Sequence, residues 1–104
     1  MARACIALGS NLDTPKCQIE SAFLHLDKLP GSRLLSRSSL YLSAPISDIV
    51  QPDYVNAVAL LETRLDPHRL LEYLLEIERS HGRVREAQNA PRTLDLDILL
   101  YNDL

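Results

Sequence analysis

The sequence predicts an α+β fold in which two amphipathic helices pack on an antiparallel sheet. Three observations carry this expectation. Apolar residues recur at helical spacing in two segments, one after Asp13-Thr14-Pro15 and one after Asp66-Pro67. Other segments read as strands, as continuous apolar runs or as polar-apolar alternation. All of them follow in the order β-α-β-β-α-β within 104 residues, the size of one small domain with a two-layer core.

Ala4-Cys5-Ile6-Ala7-Leu8 is an unbroken apolar run ending at Gly9, the pattern of a strand buried on both faces. Gly9-Ser10-Asn11 reads as a plain turn, with an anion-binding nest as the alternative. Asp13 or Thr14 can cap the first helix, and Pro15 suits its first position. Ile19, Ala22, Phe23, Leu26 and Leu29 mark its apolar face, and Pro30-Gly31 ends it. "SRLLSRSSLYLS", Ser32 to Ser43, is polar and apolar by turns and is expected as one strand, followed by the loop "APISDIVQPD". "YVNAVALLET", Tyr54 to Thr63, is the third strand. The second helix starts at Asp66-Pro67, lines one face with Leu70, Leu71, Leu74 and Ile77, and ends at Gly82. "RVREAQNAPR" is a polar loop with three arginines. In "APRTLDLDILLY" the last strand turns Leu94, Leu96, Ile98 and Leu100 to one face and Thr93, Asp95 and Asp97 to the other.

This order is the split-βαβ, ferredoxin-like arrangement. Right-handed crossovers put both helices on one face of the sheet, whose strand order is expected to be 4-1-3-2. Residues 1–104 form a single expected domain. Such folds host RNA-binding modules, sensors, metal carriers and enzymes, so the site residues must decide the function.

Composition narrows the choice. A net charge of -3 offers no basic field to nucleic acid, and one Phe, four Tyr and no Trp are poor material for base stacking. Cys5 and Cys17 fall in a strand and a helix pattern and read as reduced, buried thiols rather than a disulfide or metal pair. With no signal peptide, apolar span or low-complexity run, a soluble, monomeric cytoplasmic protein without a membrane partner is expected.

The chemistry centres on Asp95 and Asp97. Two apart in a strand, they leave the same face with Cα atoms about 6.6 Å apart. Strands disfavour Asp and like charges repel, so the pair needs a reason. One reading is an ordinary solvent-facing edge; the other is a hard-cation site, since Mg²⁺ takes one or two carboxylates plus substrate phosphates and water. Arg83, Arg85 and Arg92 stand close by in sequence. They supply either a salt-bridge cluster or bidentate donors for phosphate oxygens on a loop that closes over a nucleotide. No GxxxxGK[ST] loop is present, which excludes a P-loop kinase. By residue type alone, Asn56 is a strand polar residue with a local partner, Tyr54 a core residue and Glu78 an exposed helix residue.

Four motifs in order and spacing add a resemblance: "IALGSNL" at Ile6–Leu12, "QPDYVNAV" at Gln51–Val58, "IE" then "GRVR" between Ile77 and Arg85, and "PRTLDLDILLY" at Pro91–Tyr101. Over essentially all its residues the chain resembles the 6-hydroxymethyl-7,8-dihydropterin pyrophosphokinases of folate biosynthesis. The resemblance implies transfer of pyrophosphate from ATP to the pterin hydroxymethyl oxygen, with AMP leaving. Asp95 and Asp97 match the carboxylates that hold two Mg²⁺ ions. Arg83 and Arg92 match arginines that contact phosphates, and Arg85 a further loop arginine. Asn56 matches the reader of the pterin's amide edge and Tyr54 a ring lying against it, with backbone groups of Ser43, Ala44 and Ile46 completing that site. Glu78, Arg85, Arg92 and Ile98 match nucleotide-site positions.

Departures accompany the match. In "YLSAP", Leu42 stands where the family has arginine and Ser43 where it has threonine; Leu75 replaces a polar residue, and "EAQNAPR" lacks an arginine-aromatic-glycine element seen in some relatives. Family members continue well past Leu104, into a basic, histidine-bearing segment that grips the ATP phosphates and a second aromatic that sandwiches the pterin. The resemblance therefore implies a chain short at its C-terminal end, with weak ATP binding and low turnover. A truncated, inactive pterin- or nucleotide-binding remnant is the alternative to an enzyme.

Overall fold

The structure is a computed structural model, and it describes residues 1–11, 14–44, 53–81 and 94–102. The elements are β1 (Ala2–Ser10), α1 (Pro15–Asp27), β2 (Ser32–Arg37), β3 (Tyr41–Ser43), β4 (Tyr54–Thr63), α2 (Pro67–Ser80) and β5 (Asp95–Tyr101). The sheet runs β2-β4-β1-β5, with β3 also pairing β4, and every pairing is antiparallel. This is a ferredoxin-like α+β sheet with its apolar first strand inside. It differs from the expected four-strand order in one respect. The expected second strand is two strands, separated at Ser38–Leu40, and both lie along β4. Ser38 keeps the break attached: its N–H donates to the Val58 carbonyl, and its hydroxyl accepts from the Val58 N–H, each at 2.8 Å.

Alternation decides which face is buried. In β1 the residues Ala4, Ile6 and Leu8 are buried, and in register with them Leu61, Ala59 and Ala57 of β4. Both helices contribute to this one cluster, α1 through Ile19, Ala22, Phe23 and Leu26, with Leu29 just beyond its end, and α2 through Leu70, Leu74 and Ile77. The helices therefore cover a single face, and alanines on the sheet make room for Phe23 and the leucines above them. On the other face of β1 Cys5, Ala7 and Gly9 are only half-buried and Arg3 is exposed, because no described element covers that side. β1 is thus buried on one face, not on two as its apolar run suggests.

Other departures have local causes. The α2 stripe runs Leu70, Leu74, Ile77 and Glu78, and Leu71 faces outward at 43% exposure. Cys17 is exposed on the outer side of α1 and Cys5 is half-buried, both as free thiols. The β1–β5 ladder shifts register between Cys5 and Ile6, so Leu100 pairs with Cys5 and turns out of the core, 55% exposed. Leu94 and Leu96 keep the inner face.

The helix starts use different means. Asp66 caps α2 by accepting the Arg69 N–H at 2.8 Å, with Pro67 at the first position. Thr14 begins α1 in a left-handed conformation, with Pro15 following and no side-chain cap bond. His81, after α2, has its Nε2 3.0 Å from the Ser21 hydroxyl of α1 and so ties the two helices together. Among the described residues no helix is long and apolar enough to cross a membrane.

Candidate functional site on the open sheet face

Residues opposite each other in a sheet share a face. Gly9 lies opposite Asn56 on β4 and opposite Asp95 on β5, and Asn56 lies opposite Tyr41 on β3. One cross-strand row therefore reads Asp95, Gly9, Asn56, Tyr41. The next row reads Asp97, Ala7, Val58. Since Leu8 and Leu96 point into the helix-side core, these rows stand on the face that no described helix covers. The strand order, not the sequence distance, brings the carboxylate pair and the amide together. Two strand spacings separate their backbones, about 10 Å.

Gly9 is the floor between them. An added Cβ would lie 3.5 Å from Asn56 Oδ1 and 3.8 Å from the Tyr54 ring, ordinary contact distances. The missing side chain leaves a flat area bordered by an amide oxygen and an aromatic edge.

Asn56 is held by its amine end. Its Nδ2 donates to the Ser43 hydroxyl at 2.7 Å and to the Tyr41 carbonyl at 3.3 Å, with the Tyr54 carbonyl at 3.4 Å. These are acceptors, so turning the amide over would set oxygen against carbonyl oxygens. The orientation leaves Oδ1 as an acceptor at the floor. Ser43 thus acts on Asn56 through its hydroxyl, a role its match to a backbone position does not reveal. Ala44 follows β3 and is exposed, and Tyr54 is half-buried.

Asp95 is half-buried and Asp97 exposed. Among the described residues no group of three or more His, Cys, Asp or Glu could hold a metal by itself. Two hard oxygen donors on one strand fit a Mg²⁺ ion that completes its shell with substrate phosphates and water, and do not fit a closed structural metal site.

Glu78 departs most from its expectation by residue type. It is 3% exposed, and its Oε2 accepts the backbone N–H of Leu96 at 2.7 Å. The signal in the sequence is positional: Glu78 completes the stripe of Leu70, Leu74 and Ile77. Ile98 is half-buried and packs on the helix-side cluster, on the face opposite Asp95 and Asp97. Ile46, Arg83, Arg85 and Arg92 lie outside the described residues.

Fold and site together define a ferredoxin-like protein whose sheet face opposite the described helices sets a carboxylate pair beside an oriented amide. Residues 5–104 match the family described as 7,8-dihydro-6-hydroxymethylpterin-pyrophosphokinase, and the chain belongs to that family. It is 50% identical over 103 residues to the 2-amino-4-hydroxy-6-hydroxymethyldihydropteridine pyrophosphokinase of Haemophilus influenzae, an overlap of 99% of this chain and 64% of the relative. The Pseudomonas aeruginosa protein of the same name is 48% identical over 101 residues, 97% of this chain and 62% of its own length. The one from Pseudomonas putida is 50% identical over 101 residues, 97% of this chain and 83% of its own length. The chain thus spans a little under two thirds of the length of the first two.

Proposed function

We propose that this chain carries the transfer of pyrophosphate from ATP to 6-hydroxymethyl-7,8-dihydropterin, giving AMP and the pterin diphosphate, as a step of folate biosynthesis. The supporting observation is the row Asp95, Gly9, Asn56 on the open sheet face. It puts an amide acceptor and a carboxylate pair at opposite ends of a glycine floor, which supports reading the first as the contact to the pterin ring and the second as the metal and phosphate end.

Asn56 Oδ1 accepts from the N–H edge of the pterin, while Tyr54 lies against the ring and backbone groups of Ser43, Ala44 and Ile46 complete the hydrogen bonds. The ring so held points its hydroxymethyl arm across Gly9 toward β5. Asp95 and Asp97 hold Mg²⁺, two ions in this reading. When bound, Mg²⁺ neutralises phosphate charge and lowers the pKa of the attacking hydroxyl. Arg83, Arg85 and Arg92 bind phosphate oxygens, the side chains suited to bidentate contacts. Glu78 and Ile98 belong to the nucleotide end of the site. ATP and the pterin are the only partners invoked, and the chain acts as a cytoplasmic monomer.

Product analysis tests this reading. Incubation with Mg-ATP and hydroxymethyldihydropterin is expected to release AMP and pterin diphosphate in equal amounts. Release of ADP, or pterin binding with no AMP at saturating substrates, contradicts it; the second outcome makes the chain a binding remnant.

A further inference from the structure

We infer that Glu78 is a positioning residue whose carboxylate holds the backbone of β5 so that Asp95 and Asp97 present their carboxylates together. The inference rests on the reading of those two aspartates as metal carboxylates.

Among the described residues β5 is an edge strand, with β1 as its one partner in the sheet. Alternate N–H groups of such a strand face away from the sheet. The N–H of Leu96, between the two aspartates, is taken by Glu78 Oε2 at 2.7 Å in buried surroundings. That N–H belongs to the peptide unit joining Asp95 to Leu96. Fixing its plane sets the direction in which Asp95 projects and, through the next residue, Asp97.

Two further observations point the same way. Glu78 stands in the apolar stripe of α2 at 3% exposure, where a leucine would pack without any cost of burying a polar group. Its burial is explained by what it accepts. In addition, the β1–β5 ladder shifts register between Cys5 and Ile6, one pair (Ile6–Ile98) beyond Gly9–Asp95, Leu8–Leu96 and Ala7–Asp97. The ladder is thus irregular on one side of the aspartates, and Glu78 is a second anchor reaching β5 from the helix layer. Glu78 acts on the carboxylates through the strand, without touching phosphate or metal itself.

The test compares Mn²⁺ binding in the presence of a non-hydrolysable ATP analogue for the wild type, Glu78→Ala, Glu78→Gln and Asp97→Ala. Hydrogen exchange of the Leu96 amide is measured alongside in metal-free protein. Glu78→Ala is expected to weaken Mn²⁺ binding about 10-fold, the scale for losing a group that orients metal ligands. It should also speed exchange at Leu96. Glu78→Gln keeps an oxygen acceptor and should stay within about threefold of the wild type. Wild-type affinity in Glu78→Ala, or an equal loss in Glu78→Gln, overturns the inference. Should Glu78→Ala fail to fold, the wild-type Leu96 amide and Glu78→Gln decide. A Leu96 amide exchanging like an exposed one overturns the inference; a protected amide with near-wild-type Glu78→Gln supports it. Weakened binding in Asp97→Ala with none in Glu78→Ala sinks the positioning role alone. Unchanged binding in Asp97→Ala sinks the metal reading and this inference with it.

Discussion

Replacing Gly9 by alanine separates the needs of the fold from the needs of the site. Gly9 sits inside β1 without a positive φ, so its backbone does not require glycine. A Cβ there meets Asn56 Oδ1 at 3.5 Å and Tyr54 at 3.8 Å, so nothing among the described residues has to move. Gly→Ala in a strand interior then recovers about 0.5–1 kcal/mol of backbone entropy. For a domain of this size that raises Tm by about 2–8 °C. The same methyl stands on the floor where the pterin's arm crosses toward Asp95. Forcing one methyl into a filled space costs about 1–3 kcal/mol, or about 5- to 150-fold in Kd. Stability and binding should therefore move in opposite directions. Thermal unfolding gives the first and a fluorescence titration with hydroxymethylpterin the second. Unchanged pterin affinity refutes the floor argument. A large loss of stability refutes the claim that the space above Gly9 is open.

Asp97→Ala should weaken Mg-ATP at least about tenfold while circular dichroism stays unchanged, the loss expected when a hard-cation ligand is removed; equal affinity contradicts the metal assignment. Asn56→Ala removes the oriented acceptor, and at about 1.5 kcal/mol per lost hydrogen bond it should weaken pterin by about tenfold or more. Calorimetry should find ATP affinity nearly unmoved, and parallel losses would make Asn56 structural. Asp66→Ala removes the α2 cap and should cost about 1 kcal/mol, about 4–8 °C in Tm, without altering ligand binding. A ligand-binding defect there would link the start of α2 to the site.

Much of the fold is legible in local patterns because local physics sets it. The α1 stripe of Ile19, Ala22, Phe23, Leu26 and Leu29 is buried as its spacing requires, and β4 has the bounds its alternation marks. What escapes is what depends on a partner. The bulge that turns Leu100 outward is a property of the β1–β5 pairing, and no periodicity in β5 alone contains it. Both faces of β1 are apolar in sequence, yet among the described elements one layer of helices covers one face. The break at Ser38–Leu40 hides inside a stretch, Ser32 to Ser43, that is polar and apolar by turns throughout.

The site divides in the same way. The carboxylate pair announces itself, since Asp is costly in a strand. Its neighbourhood does not, because Asp95 and Asn56 meet only through Gly9 of a strand far away in sequence. Gly9 reads as the start of a turn, and it proves to lie inside β1. Glu78 reads as a solvated helix residue, since its acceptor role involves a backbone group 18 positions later.

The most direct measurement is an amide-resolved NMR titration. Hydroxymethylpterin should shift the resonances of Gly9, Asn56 and Tyr54, and Mn²⁺ with an ATP analogue should broaden Asp95, Asp97 and Ala7 before residues of the helix layer. Both effects confined to adjacent rows of the open sheet face are the predicted result. Perturbations centred on α1 or α2, with Gly9 and Asp95 unmoved, would contradict the account.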